Sequence, residues 1–128
     1  MKKRFIFLTF IIQMSLIGQS IQYKKGEVID SIPVKNAEKE TFALYLPTTF
    51  DFNVNSAIIF IYDPAARGSV ALESLIPAAE LFNYILVCSN NSKNGPYDKN
   101  FEIANKLFQH IFSEFKTDPK QIYTAGFS

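Results

Sequence analysis

The sequence predicts an α/β fold whose core is a largely parallel sheet. Two observations carry this expectation. SAIIFIYDP and YILVCSN hold continuous apolar runs at residues 58–61 and 85–87, the pattern of strands covered on both faces. Helical periodicity fills the segments that follow them, SLIPAAELFN and a longer stretch at about 98–116. Buried strands alternating with helices imply right-handed crossovers onto one sheet.

Each element has its own justification, in chain order. IQYKKGEVIDSIPV and TFALYLP read as two strands separated by the charged segment KNAEKE, and so as an antiparallel hairpin. Phe42, Leu44 and Leu46 alternate with Ala43 and Tyr45, which places the two sets on opposite faces. The polar stretch PTTFDFNVNS leads into the first buried strand, and the loop DPAARGS follows it. In the next helix Ser74 is an N-cap candidate, Pro77 falls in the first turn, and Asn83 can adopt the left-handed conformation that ends a helix. YILVCSN is the second buried strand, followed by the polar loop NSKNGPY. The longest helix sets Phe101, Ala104, Phe108, Ile111 and Phe115 at three- and four-residue spacing as one apolar stripe. Asp118-Pro119 ends it, and QIYTAG starts another strand.

Composition narrows the function classes. The chain has 128 residues, enough for one small domain or part of a larger one, and 48% of them are hydrophobic, which argues against disorder. It opens MKKRFIFLTFIIQMSLIGQS, with the three parts of a secretory signal at 1–20: basic Lys2 to Arg4, an apolar stretch at 5–17, and small residues at Gly18 and Ser20. A membrane anchor needs about 20 apolar residues, and this stretch is shorter and interrupted by Gln13. No cysteine near the cleavage point can carry a lipid. The expectation is an exported chain, periplasmic or secreted, with no stable membrane anchor after cleavage. Without the leader, 10 basic residues face 12 acidic ones, a balance that does not favour nucleic acid. Cys88 is the one cysteine, so no internal disulfide forms, and its apolar neighbours mark it as core.

The chemistry gathers after the strands, because sites in open α/β sheets form beyond their carboxyl ends. Three such ends are DPAARG, NNSKNG and GFS. A serine just after a buried strand can be held on a tight turn with its hydroxyl exposed. Gly126, two positions before Ser128, keeps that turn free of a clash. Gly-x-Ser alone is common by chance; its context is a long helix, an Asp-Pro turn and a strand reading Ile-Tyr-x-x-Gly-Phe-Ser. This phrase resembles the nucleophile-elbow region of the α/β-hydrolase superfamily, and looks most like secreted esterases of the polyhydroxybutyrate-depolymerase and feruloyl-esterase kind. The resemblance runs from about Thr41 to Ser128 and includes LYLP and AAELFNYILVCSN.

That resemblance implies an incomplete α/β-hydrolase-like sheet, residues 21–128 forming the N-terminal part of the domain and breaking off at the elbow. It implies Ser128 as nucleophile of a serine hydrolase that cleaves carboxylic esters, of small molecules or polymers, through an acyl-enzyme. Family members usually carry His-Gly after the first buried strand, and a backbone N–H beyond it completes the oxyanion hole. Here Asp63 and Pro64 stand there, and proline has no N–H to give. The donor is then Ala65 or Ala66, with Gly68 letting the backbone bend. Arg67 either binds an acidic group of the substrate, pairs with Asp63, or stands in solvent. Asn90, Asn91 and Asn94 either offer amides to a substrate or make the turn with Gly95, and the turn is favoured. Asn90-Asn91-Ser92 also matches a glycosylation sequon.

His110, the one histidine, lies mid-helix and precedes the serine. The superfamily order is Ser, then Asp or Glu, then His, so His110 is expected to be a surface or half-buried helical residue. The acid and base are expected beyond Ser128, and the 128 residues alone are expected to be inactive and poorly folded. No Cys/His cluster suits zinc and no GxxxxGK[ST] loop suits a phosphate; serine ester hydrolysis calls for no cofactor. The rival reading is an exported, non-catalytic α/β module whose DPAARG loop and asparagines hold a ligand.

Overall fold

The computed structural model describes residues 22–127, so the leader at 1–20 and Ser128 lie outside the described residues. Five strands form one mixed sheet: β1 (Val28–Pro33), β2 (Thr41–Tyr45), β3 (Ser56–Tyr62), β4 (Ile85–Ser89) and β5 (Thr117–Gly126). Their order across the sheet is β1-β2-β4-β3-β5. β1 and β2 pair antiparallel, as the hairpin reading requires, and β2 runs antiparallel to β4. β4 and β5 both lie parallel to β3. The sheet is thus an antiparallel hairpin followed by parallel strands with crossover helices, the α/β arrangement the sequence predicts.

The alternation in β2 sorts the core into two layers. Phe42, Leu44 and Leu46 join Ile58, Phe60, Ile85 and Val87 on one face, against Leu107 and Ile111 of α3 (Tyr97–Glu114). Ala43 and Tyr45 join Ile61, Leu86 and Cys88 on the other, against α1 (Gly68–Glu73) and α2 (Ile76–Phe82). Fully burying a side chain such as Leu107 contributes about 1.5–3 kcal/mol. Cys88 is fully buried, and burial pushes its thiol up to about 12, with Asp63 adding to the rise. It is therefore an inert core residue, as expected.

Several local expectations need correction. The first strand is shorter than predicted, because Gly26 turns the chain at φ 78° and Ser31 at φ 58° adds a bulge between Ile29 and Ile32. A short helix, α1, precedes the predicted one. Ser74 therefore follows α1 as its C-cap, and Leu75 takes the N-cap of α2. Pro77 does lie in the first turn of α2, and Asn83 does end it in the left-handed region. β5 begins at Thr117, before Asp118-Pro119, but its pairing with β3 is irregular there, passing from Ser56↔Thr117 to Ile58↔Ile122, so regular pairing falls within the expected QIYTAG segment.

The apolar stripe of α3 is also rotated from the predicted one. Its buried residues are Ile103, Leu107, His110 and Ile111, which share an arc of about 100° on the helix surface. Phe101 and Phe112 stand on the adjacent arc, 58% and 43% exposed. Phe108 is half-buried against Phe60, and Phe115 is buried just past the helix end. His110 is buried, not at the surface. Its Nδ1 accepts the Lys35 N–H at 2.8 Å and its ring meets Phe42 edge-on. Burial lowers its pKa, so it serves as a neutral packing residue. No helix among the described residues is long and apolar enough to cross a membrane.

This rotation gives a direct test. Leu107→Ala should cost about 2–5 kcal/mol in urea unfolding, whereas Phe101→Ala should cost under about 1 kcal/mol. Equal losses would restore the predicted stripe.

Candidate functional site

The loop after β3 is organised by one carboxylate. Asp63 is only 4% exposed at the end of the strand, and a buried carboxylate must collect donors. Its Oδ1 accepts the Ala65 N–H at 2.8 Å and the Arg67 Nε at 3.0 Å; its Oδ2 accepts the Arg67 Nη2 at 2.9 Å. The Arg67 N–H also reaches Oδ1, at 3.4 Å. The Ala66 N–H instead closes a turn onto the Asp63 carbonyl at 3.0 Å, with Ala66 at φ 56°. Pairing with Asp63 is thus what the structure shows for Arg67. Ala65 and Ala66, the two candidate oxyanion donors, both spend their amides on Asp63. Either reaches a substrate only after this turn lets go.

Asn90 and Asn91 both reach the start of β2, and Asn90 also holds Gly68 at the end of that loop. Asn90 Oδ1 accepts the Gly68 N–H at 3.1 Å, while its Nδ2 donates to Asp30 Oδ1 at 2.8 Å and Thr41 Oγ1 at 3.1 Å. Asn91 Oδ1 accepts the Thr41 N–H at 2.8 Å, and its Nδ2 donates to the Lys39 carbonyl at 3.1 Å. Both amides are engaged in joining β1, β2 and α1 to the end of β4. Gly68 makes this possible: a Cβ there would collide with Asn90 Oδ1 and stand 3.2 Å from Ala43 Cβ. At Gly126 an added Cβ would lie 3.9 Å from the Tyr62 carbonyl, an ordinary contact. Any tighter demand on Gly126 would come from the turn toward Ser128, outside the described residues.

A cavity of about 220 Å³ opens where β3, β4 and β5 end. Its walls include Tyr62, Asp63, Pro64, Ser92, Lys93 and Phe127, and Gly126 lies on its rim. Tyr62, Ser92 and Lys93 were not candidates from sequence. Ser92 is 3% exposed, and neither its Oγ nor the Tyr62 hydroxyl has a hydrogen-bond partner among the described residues. An unmet buried hydroxyl costs about 1–3 kcal/mol. Burial pushes the Tyr62 phenol up to about 12, so it keeps its proton. The Lys93 backbone is clamped: its N–H donates to Asn100 Oδ1 at 3.2 Å, its carbonyl accepts Asn100 Nδ2 at 2.8 Å, and Ala65 bridges to it from the other side. The sequence signal for Ser92 and Lys93 is their place right after a buried strand. Among the described residues no group of three His, Cys, Asp or Glu side chains could hold a metal ion.

No protein-family model and no curated protein matches the chain. Solved structures do. A thermostable esterase superposes with a TM-score of 0.55 at 11% identity, over 80% of this chain and 34% of its own. Esterase 2 of Thermogutta terrifontis, phosphonylated by sarin, gives 0.55 at 11% identity, over 81% of this chain and 42% of its own. An arylesterase gives 0.50 at 16% identity, over 82% and 37%. At such identities the likeness establishes the α/β-hydrolase-like arrangement of the sheet. The chain spans about a third to two fifths of the length of these esterases.

The Asp63 turn makes a pH prediction. The Arg67 side-chain hydrogen bonds, chiefly, hold the Asp63 carboxyl at about 2 against an ordinary 3.8, with burial opposing them. A depressed carboxyl stabilises the fold above its ordinary value and stops doing so as pH falls through its folded one. The turn should therefore stay intact from neutral pH down to about 3.8 and open toward about 2. In Arg67→Ala the Asp63 carboxyl titration, followed by carbon NMR, should move upward; an unmoved midpoint would dismiss Arg67 as the cause.

Proposed function

We propose that this chain is the N-terminal part of an exported serine hydrolase that cleaves carboxylic esters. One observation carries the reading. The carboxyl ends of the three parallel strands converge on one cavity, and the chain leaves its rim through Gly126 and Phe127 directly into Ser128. The superposed structures are esterases, which supports the same choice. A substrate like those of polyhydroxybutyrate depolymerases or feruloyl esterases rests on the sequence resemblance over about Thr41 to Ser128 alone.

In this reading Ser128 attacks the acyl carbon, and an acyl-enzyme forms that water then hydrolyses. Ala65 is the better oxyanion donor of the two candidates. Its N–H is held by a side chain, which can rotate away, whereas the Ala66 N–H is held inside a backbone turn. A serine needs a base, and the base needs an orienting group. His110 is ruled out for that work by its burial on the core side of α3 and its bond to Lys35. The acid and base come from residues following Ser128, which also cover the exposed outer side of β5 and the arc of Phe101 and Phe112. An uncovered strand edge of this kind is a solubility liability, so residues 1–128 alone are inactive and fold poorly. Serine chemistry of this type uses no cofactor.

A fluorophosphonate probe on the full-length protein should label Ser128, and Ser128→Ala should abolish both labelling and ester turnover. Retained ligand binding without any labelling in the unaltered protein would favour the non-catalytic binding module instead.

A further inference from the structure

We propose that His110 is an acid-released latch: a proton on its ring frees the turn at residues 34–40 from α3 and slackens the loop after β4. The ring is 4% exposed, lies edge-on to Phe42, and takes the Lys35 N–H on Nδ1 at 2.8 Å. In a neutral imidazole the accepting nitrogen bears no proton, so Nε2 bears it; an imidazolium donates from both. A proton on Nδ1 therefore sets donor against donor at Lys35. Nε2 gives nothing back, since it is buried without a hydrogen-bond partner among the described residues. The ring thus takes up a proton only as the turn lets go.

The surrounding charges do not rescue the imidazolium. Burial lowers the His110 pKa below the ordinary 6.5; Glu114 opposes the shift and Lys35 adds to it. On α3 the Glu114 carboxylate is already paired with the Lys35 ammonium. Lys106, one turn before His110, is paired with Glu40 of the turn and with Glu102. The second oxygen of Glu40 has no hydrogen-bond partner among the described residues, so it does not serve Nε2. Burial, with Glu114, pushes the Tyr23 phenol up to about 12, so it stays neutral. On the sheet side the ring meets Phe42, which is uncharged.

The same turn is gripped from the candidate site. The Val34 N–H closes it onto the Glu40 carbonyl at 2.8 Å, and Asn91 holds its far end through the Lys39 carbonyl and the Thr41 N–H. Asn91 runs directly into Ser92 and Lys93 of the cavity wall. Release at Lys35 is therefore passed along the turn to that wall. Because the folded ring is the weaker base, the hold is complete above the ordinary 6.5. It weakens about tenfold per pH unit below that, down to the lowered value.

The test is amide hydrogen exchange on the full-length protein, expressed as protection factors at about pH 7 and about pH 5. Lys35 and Val34 should lose protection by about tenfold or more, while Leu86 and Val87 of β4 keep theirs. The Asn91 side-chain amide should shift in step with Lys35. His110→Asn, whose Oδ1 takes the Lys35 N–H without titrating, should remove the pH dependence. Unchanged protection at Lys35, or a loss that β4 shares equally, would overturn the latch. An Asn91 signal fixed while Lys35 opens would overturn the link to the loop after β4. Should His110→Asn not fold, nitrogen-15 spectra of the ring in the unaltered protein decide. Protonation of Nδ1 and opening at Lys35 should share one midpoint, and a ring that titrates with Lys35 still protected would contradict the proposal.

Discussion

A carboxylate that ends a buried strand must be paired, and the site is arranged around the pairing of Asp63. The side chain emerges where β3 stops, too deep for water to solvate it. The backbone folds round to bring the Ala65 N–H and the Arg67 guanidinium to it. That fold places Ala65 against Lys93 and Asn94 N–H against the Pro64 carbonyl, so the loops after β3 and β4 are joined. The joined loops wall the cavity. One charge, placed where the strand cannot leave it unmet, thus sets the path of two loops and the charge balance of the pocket between them.

Asn90 does comparable work on the far side of the sheet end. Its amide ties Gly68 at the start of α1 to Thr41 and Asp30, so the hairpin and the first crossover helix are anchored at one point. The result is a rigid frame for the cavity. Within it Asp63 Oδ1 is shared among three donors, the Ala65 N–H, the Arg67 Nε and the Arg67 N–H. In the proposed hydrolase the Ala65 N–H must leave Asp63 before it can serve an oxyanion, and leaving carries a cost. Once released, such a donor stabilises the negative charge that develops in the transition state.

Much of this was legible in the sequence where burial dictates residue type. The runs at residues 58–61 and 85–87 admit little but doubly covered strands, and the alternation in β2 told its two faces apart. Asn83 was readable because few residues accept its backbone conformation. The stripe of α3 is less legible, because two neighbouring arcs, one rich in phenylalanine and one holding Ile103 and Leu107, both satisfy the helical period. His110 was misplaced for a related reason: its partner, the Lys35 N–H, lies 75 residues away and leaves no local mark. The engagement of Ala65, Asn90 and Asn91 was hidden in the same way, since a site residue and a structural one differ only in what they touch.

The proposed hydrolase has the Asp63 turn withhold an oxyanion donor from Ser128. The most direct measurement is the amide spectrum of the full-length protein, nitrogen-15 labelled, before and after covalent phosphonylation. The account predicts that the Ala65 N–H shifts strongly as it passes from Asp63 to the phosphonyl oxygen, with Arg67 following and Ala66 little changed. Phosphonylation at Ser128 with an undisturbed Ala65 resonance would contradict it.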